Sequence, residues 1–157
     1  LAHRYEDYMK QLAEPGDMFL FHGCSDEALP SIIEHGFLKR FWTSAAGSWQ
    51  RFQPGFYFAL QSSKSHDYPP KIMNALGPGG HRRAMLLCKV ASGKVYRTRV
   101  NMDRGQKVPP TGYDSVHGEA SERGQLNYDE LVVYEEEAIL PFAVVEYGFT
   151  KSRRRAY

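Results

Sequence analysis

The sequence is poor in cysteine and in long apolar runs. Its two cysteines, Cys24 and Cys88, are far apart, so they form neither a disulfide framework nor a four-cysteine zinc site. No apolar stretch approaches the roughly 20 residues that cross a membrane, and the N-terminus has no signal-peptide core. These absences favour a soluble domain from a reducing compartment, and we expect an intracellular location, cytoplasmic or nuclear.

An excess of charge of one sign is also missing. Lys and Arg total 20 residues against 18 Asp and Glu, and the formal net charge of +2 is too small to predict nucleic-acid binding. The one basic run, at residues 151–155, lies at the C-terminal edge, where a solvated tail is the usual structure. We therefore expect neither nucleic acid nor a membrane as a partner.

The length and composition predict one globular domain. A content of 42% hydrophobic and 13% aromatic residues is enough for a packed core, and 157 residues suit a single one. We place this core at about residues 19–149 of a domain that spans 1–157. The chain begins with Leu1 instead of methionine, so we expect it to be a piece of a longer protein.

Hydrophobic spacing predicts helices mainly at the start of the chain. One is expected at about residues 4–13, and a second begins at Ser25 or Asp26 and ends at Gly36. The buried face of the second should hold Leu29, Ile32 and Ile33.

Strand patterns dominate the rest of the sequence. Runs rich in β-branched and aromatic residues predict strands at about residues 18–21, 56–59, 84–90, 95–100, 131–134 and 143–149. A short helix is expected at about 63–68, before Pro69-Pro70. Because helices and strands do not alternate regularly, the fold class is α+β, with a mainly antiparallel sheet or pair of sheets.

Some residues in these elements have chemically useful side chains. His22 ends a predicted strand, Tyr57 lies between two phenylalanines, and Glu130 precedes a strand. Taken singly, a histidine at a strand end and a tyrosine between phenylalanines are more often structural. The acidic run at residues 135–137 competes with Glu130 for a catalytic role, but such runs are usually solvated faces.

Taken together, several stretches carry a resemblance to a known family. They are Phe21-His22-Gly23, then Gly55-Phe56-Tyr57-Phe58-Ala59 with Ser63-Lys64-Ser65-His66-Asp67-Tyr68, and finally Gly112-Tyr113-Asp114-Ser115-Val116 with Tyr128-Asp129-Glu130. In this order and at these separations they resemble the catalytic domain of the poly(ADP-ribose) polymerase family, which shares its fold with diphtheria-type toxins. The resemblance implies an ADP-ribosyltransferase fold, with a mainly antiparallel two-sheet core and a few short helices.

The resemblance also implies an activity. Members cleave NAD⁺ at the nicotinamide–ribose bond and transfer ADP-ribose to an acceptor, so NAD⁺ is expected as co-substrate, with no metal and with a protein acceptor that includes the chain itself. The family's His–Tyr–Glu triad falls on His22, Tyr57 and Glu130. His22 should bond the adenosine ribose, and Glu130 should bond the nicotinamide ribose and stabilise its oxocarbenium-like transition state.

The same resemblance assigns a nicotinamide pocket. Tyr57 and Tyr68 match the two tyrosines that sandwich the ring, an arrangement that suits a cationic π-system. Ser65 matches the residue whose hydroxyl bonds the carboxamide. The backbone of Gly23 should supply the other polar contacts, because a residue without a side chain permits close approach.

The sequence departs from the family pattern after His-Gly. Cys24 stands where the family usually has Ser or Thr, so a hydroxyl that helps hold the adenosine ribose is replaced by a weaker donor. Residues 112–116 are most like those of mono-ADP-ribosylating members, whereas Tyr128-Asp129-Glu130 keeps the glutamate typical of chain-elongating members. The sequence leaves the product length open.

Two other functions remain open on sequence grounds. An RNA 2′-phosphotransferase shares this general fold and uses NAD⁺, but it needs several basic residues to hold a phosphate, and this chain has Glu130 at that strand. A catalytically silent module would keep a pocket for NAD⁺ or ADP-ribose and lose turnover through Cys24 or a deformed loop. Cysteine-protease chemistry, and a metal site made by His22 and Cys24, lack any supporting local signature.

Overall fold

The structure, a computed structural model, describes residues 1–42, 51–66, 82–103, 105–121 and 126–148. Three helices belong to this part of the chain: α1 (Ala2–Gln11), α2 (Ala28–His35) and α3 (Ser62–His66). The seven strands are β1 (Asp17–His22), β2 (Phe56–Ala59), β3 (Arg82–Ala91), β4 (Val95–Thr98), β5 (Ser115–Gly118), β6 (Glu130–Val133) and β7 (Ile139–Gly148). Tyr68 and the basic run at 151–155 lie outside the described residues.

The strands form one sheet in the order β4-β5-β6-β2-β1-β3-β7. All neighbouring pairs are antiparallel except β4 and β5, which run parallel. The predicted α+β class with mainly antiparallel pairing is confirmed. The predicted pair of sheets is joined into one, because Phe21 of β1 pairs with Ala59 of β2.

The side chains of this sheet pack into two apolar clusters. The larger cluster contains residues of β1, β2, β3, β6 and β7, and α1 covers it with Tyr5. Leu20, Leu86 and Val90 in this cluster are at most 2% exposed. The smaller cluster surrounds Phe52, which is fully buried against residues of β5 and β6. Because β2 and β6 contribute side chains to both clusters, the centre of the sheet is packed on both of its faces.

Helix α2 ends at Gly36 as predicted, but it starts later than predicted, with Glu27 instead of Ser25 or Asp26 as its N-cap, and its buried face differs from the prediction. The Ala28 N–H donates to Ser25 Oγ at 3.2 Å, and Gly36 ends the helix with a φ of 81°, a conformation that favours glycine. No residue of α2 is fully buried, and Ile33 is 47% exposed, so its predicted place in the buried stripe is wrong. Leu29 and Ile32 pack against the larger cluster as predicted, whereas Ile33 is not among the residues packed against it.

The second half of the chain contains β5, a strand whose position the sequence patterns did not predict. Ser115 and Val116 of β5 belong to one of the motifs that carry the resemblance, and all four residues of this strand are buried. β4 ends at Thr98, two residues earlier than predicted, because the Thr98 hydroxyl bonds the backbone of Val100 in a tight local turn. Four-residue strands between turns leave too little periodic pattern to be delimited from sequence alone.

The acidic run after β6 is a contact region, contrary to its prediction as a solvated face. Glu136 accepts a hydrogen bond from the Lys39 backbone N–H at 2.6 Å, and Glu137 pairs with Arg4 of α1. Glu135 pairs with the Lys39 amine at 2.6 Å. These glutamates therefore hold α1 and the 3₁₀ turn at Lys39–Phe41 against the sheet.

Among the described helices, none has the length and apolar character that a membrane crossing needs.

Candidate functional site

A cavity of about 720 Å³ opens beside β1 and β2, which are neighbours in the sheet. Its size lies in the range of about 300–1,000 Å³ that is typical of small-molecule sites. The walls come from the end of β1, from α2, from β2 and from Lys64 and Ser65 of α3, and Glu130 of β6 also lines it. Five of the six residues predicted for the site meet here: His22, Gly23, Tyr57, Ser65 and Glu130. The sixth, Tyr68, lies outside the described residues.

His22, the last residue of β1, is held by one backbone bond and two aromatic rings. Its Nδ1 lies 2.9 Å from the carbonyl oxygen of Tyr57, and its ring contacts Phe37 edge-on at 4.8 Å and Phe58 at 5.4 Å. Because a carbonyl only accepts, Nδ1 carries the hydrogen, and in the neutral ring Nε2 is an acceptor. Burial lowers the pKa of His22 and outweighs the opposing effect of the Tyr57 carbonyl, so the neutral form prevails at pH 7.

Cys24 lines the same wall as His22 and Gly23. Burial, together with the charge of Asp26, raises the pKa of its thiol to about 11. The thiol therefore stays protonated at neutral pH and offers a weak S–H donor instead of a nucleophilic thiolate.

Tyr57, in the middle of β2, is anchored at its hydroxyl. The hydroxyl donates to the Gln53 carbonyl at 2.8 Å and accepts from the Phe52 N–H at 3.0 Å, and the ring stacks on Phe52 with centroids 6.5 Å apart. The Tyr134 hydroxyl bonds the Phe52 carbonyl at 2.9 Å. The hydroxyls of Tyr57 and Tyr134 thus bind Phe52 and Gln53, which lead into β2. The bonds made by Tyr57 also hold its ring in place at the cavity.

Ser65 and Lys64 lie on α3, which carries its side chains to the cavity. Ser65 is 2% exposed and Lys64 is 9% exposed. The Lys64 amine forms an ion pair with Glu130 Oε1. Burial, with a contribution from the charge of Arg51, lowers the pKa of Lys64 to about 8, while Asp129 acts in the opposite direction.

Glu130, the first residue of β6, is 3% exposed and is flanked by the smallest side chains of the neighbouring strands. Its partners across the sheet are Ala59 of β2 and Gly118 of β5. A Cβ added to Gly118 would approach the Phe52 ring to 2.5 Å, so the glycine is required for this packing. Small neighbours on both sides leave the Glu130 carboxylate reachable from the cavity.

Lys64 and Arg51 line the cavity but were not among the residues predicted for the site. Lys64 lay inside a stretch that the resemblance already marked, between Ser63 and Ser65, and a lone lysine in a functional motif was the signal available for it. Arg51 lies within residues 39–55, a stretch whose lack of clean periodicity predicts a loop, and no sequence pattern indicates that it turns toward Lys64.

Comparison with known families gives one finding. The model of the poly(ADP-ribose) polymerase catalytic domain matches residues 1–122. This range contains β1, β2 and α3 with His22, Tyr57 and Ser65, and it ends before Glu130.

Proposed function

The chain belongs to the poly(ADP-ribose) polymerase catalytic-domain family, whose members are ADP-ribosyltransferases that use NAD⁺, and we propose that His22, Tyr57 and Glu130 form its triad. One observation carries this proposal: residues from four separate segments of the chain line a single cavity of about 720 Å³. A convergence of this kind, with a buried carboxylate among apolar walls, is typical of catalytic sites.

NAD⁺ binds in this proposal with its adenosine ribose at His22 and its nicotinamide ribose at Glu130. The neutral His22 ring accepts a hydrogen bond from an adenosine-ribose hydroxyl through Nε2, because Nδ1 is already bonded to Tyr57. The nicotinamide ring stacks on Tyr57 and bonds the Ser65 hydroxyl and the Gly23 backbone. Tyr68 provides the second aromatic ring on sequence grounds.

The reaction proceeds by dissociation at the nicotinamide ribose. The bond from C1′ to the nicotinamide nitrogen breaks, and its electron pair stays on nicotinamide, which leaves as a neutral ring. The Glu130 carboxylate stabilises the positive charge that develops on the ribose. An acceptor hydroxyl or carboxylate then forms the new bond to C1′, and any proton that it loses passes to solvent.

The Lys64 ammonium has a supporting place in this chemistry. Its ion pair compensates the Glu130 charge before substrate arrives, and it orients one carboxylate oxygen, Oε1. This pairing holds the Glu130 carboxylate in place for the substrate. The acceptor is a protein side chain, and the chain itself is one candidate.

The test follows label from NAD⁺ to nicotinamide and to protein. Purified wild type should release nicotinamide and become labelled, and Glu130→Gln should lower the rate of transfer by about a hundredfold or more while NAD⁺ binding persists. Glu135→Gln, the same change in a residue paired with Lys39 at the surface, is the matched control and should keep full activity.

Each outcome has a distinct meaning. A ladder of products indicates chain elongation, and a single increment indicates mono-ADP-ribosylation. Full turnover by Glu130→Gln would remove this residue from the mechanism. NAD⁺ binding without any nicotinamide release would identify a silent binding module instead. For the ring, Tyr68→Ala should weaken NAD⁺ binding, and unchanged affinity would refute the second stacking partner.

A further inference from the structure

A cluster of three charged or polar side chains lies directly behind Glu130. His117 of β5 is 7% exposed, with Nε2 at 2.9 Å from Asp129 Oδ2 and Nδ1 at 3.1 Å from an Arg97 guanidinium nitrogen. Asp129 precedes Glu130 in the chain, and Gly118, the residue after His117, pairs with Glu130 across the sheet. The cluster therefore adjoins Glu130 both along the chain and across the strands.

The partners of His117 determine which of its nitrogens carries the proton. A guanidinium donates and never accepts, so Nδ1 of His117 must accept from Arg97. Nε2 therefore carries the hydrogen and donates it to Asp129 Oδ2. In this tautomer the ring accepts a hydrogen bond from Arg97 and donates one to Asp129. Replacing either partner would remove one of these two bonds.

Asp129 is held from a second direction as well. Its Oδ1 accepts the Ala120 backbone N–H at 2.8 Å. Burial alone would raise the pKa of Asp129, but the Ala120 bond, the His117 bond and the charge of Arg97 together lower it. Asp129 is therefore a carboxylate with both oxygens occupied, which fixes the backbone immediately before Glu130.

The cluster also acts on the counter-ion of Glu130. The Asp129 carboxylate raises the pKa of Lys64, against burial and the charge of Arg51. The amine that pairs with Glu130 is thus kept charged partly by the residue next to Glu130. Geometry and charge both connect the cluster to the same ion pair.

We propose that His117 is a positioning residue, which acts through Asp129 to hold Glu130 and Lys64 in the arrangement needed for transfer. The inference rests on the proposed function, because it assigns His117 a role in the reaction that Glu130 performs. His117 does not touch the cavity itself, so its effect should appear in turnover and not in substrate binding.

The experiment compares two substitutions of His117 with one matched control. His117→Leu removes both hydrogen bonds, whereas His117→Gln offers one N–H donor and one carbonyl acceptor in their place. The control is Ser115→Ala, also on β5, which removes a buried bond of 2.7 Å to the Ser92 carbonyl at the far end of the strand. The kcat and the KM for NAD⁺ are measured from nicotinamide release, with the melting temperature of each variant.

His117→Leu should lower kcat about tenfold with less than about a twofold change in KM, and His117→Gln should recover most of the loss. Ser115→Ala should lose thermal stability and keep its kcat. An unchanged kcat in His117→Leu, no recovery in His117→Gln, or an equal loss of kcat in Ser115→Ala would overturn the proposal.

A second readout does not depend on turnover. The Lys64 amine is titrated by NMR in the wild type and in Asp129→Asn, and its pKa should fall in the variant because a negative charge beside it is removed. An unchanged pKa of Lys64 would break the link between the cluster and the ion pair. A wild type that releases no nicotinamide refutes the proposed function, and the link is then judged by this titration alone.

Discussion

The two ends of the cavity are held by different kinds of contact. At the His22 end a neutral ring is fixed by one backbone carbonyl and by the aromatic rings of Phe37 and Phe58. At the Glu130 end a buried carboxylate pairs with a buried ammonium, and further charges stand behind them. One end is built by packing and the other by compensated charge.

This difference matches what each end has to do in the proposed reaction. A ribose hydroxyl stays neutral throughout the reaction, so it needs only a hydrogen-bond acceptor with a fixed tautomer. The nicotinamide ribose becomes positive in the transition state, and a preorganised carboxylate lowers that barrier because it needs no reorganisation. The comparison predicts that substitutions at the Glu130 end affect stability and turnover, whereas those at the His22 end affect binding.

The largest expected effect is on the buried ion pair. Lys64→Met should lower the free energy of unfolding by about 3 kcal/mol, because it leaves the Glu130 carboxylate buried without its counter-ion. The same substitution in a Glu130→Gln background should cost much less. Urea unfolding of the four proteins measures this, and equal costs in the two backgrounds would show that the pair is not coupled.

At the His22 end the expected effect is a pH dependence of binding. The pKa of His22 lies below its ordinary value of 6.5, so the ring is neutral above that pH and protonates only below it. Protonation turns Nε2 into a donor, and NAD⁺ affinity should fall about tenfold in acid, the loss of roughly one hydrogen bond. The same shift also destabilises the fold as pH falls, because the unfolded chain takes up the proton more readily.

A titration of binding against pH checks this prediction with His22→Gln as control. Glutamine keeps a donor for the Tyr57 carbonyl and an acceptor for the ribose, but it does not titrate. Its affinity should therefore be flat where the wild type declines. An equal acid decline in both proteins would assign the effect to another group.

A smaller effect is expected next to His22, at Cys24. Cys24→Ser restores a hydroxyl where the thiol is a weak donor, and NAD⁺ should bind a few-fold more tightly, equivalent to about 0.5–1 kcal/mol. Isothermal titration with Cys24→Ala beside it separates donation from size. If serine and alanine bound NAD⁺ equally well, position 24 would make no hydrogen bond to the substrate.

The smallest effect is expected away from both ends of the cavity. Arg4→Ala breaks the contact of α1 with Glu136 and Glu137, whose side chains are partly exposed. Such pairs contribute below about 1 kcal/mol, so unfolding should shift only slightly and NAD⁺ turnover should not change. A large loss of turnover would mean that α1 helps to shape the site.

Several features of the fold could be predicted because their signals are local. The strand that ends at His22, the strand around Tyr57 and the cap at Gly36 each depend on neighbours within a few residues. Ile33 and β5 were missed for the opposite reason. The exposure of Ile33 depends on which side of α2 packs against the core, and β5 is defined by the strands on either side of it.

The residues of the candidate site fall into the same two groups, those that the sequence indicates and those that only the tertiary structure identifies. The sequence by itself determined the family and the α+β class, and it predicted His22, Tyr57 and Glu130 as site residues, because motif order and hydrophobic spacing are properties of the chain. Only the tertiary structure decided that Lys64 pairs with Glu130 and that His117 and Arg97 stand behind Asp129. Burial and charge compensation arise between segments far apart in the chain, so no local pattern specifies them.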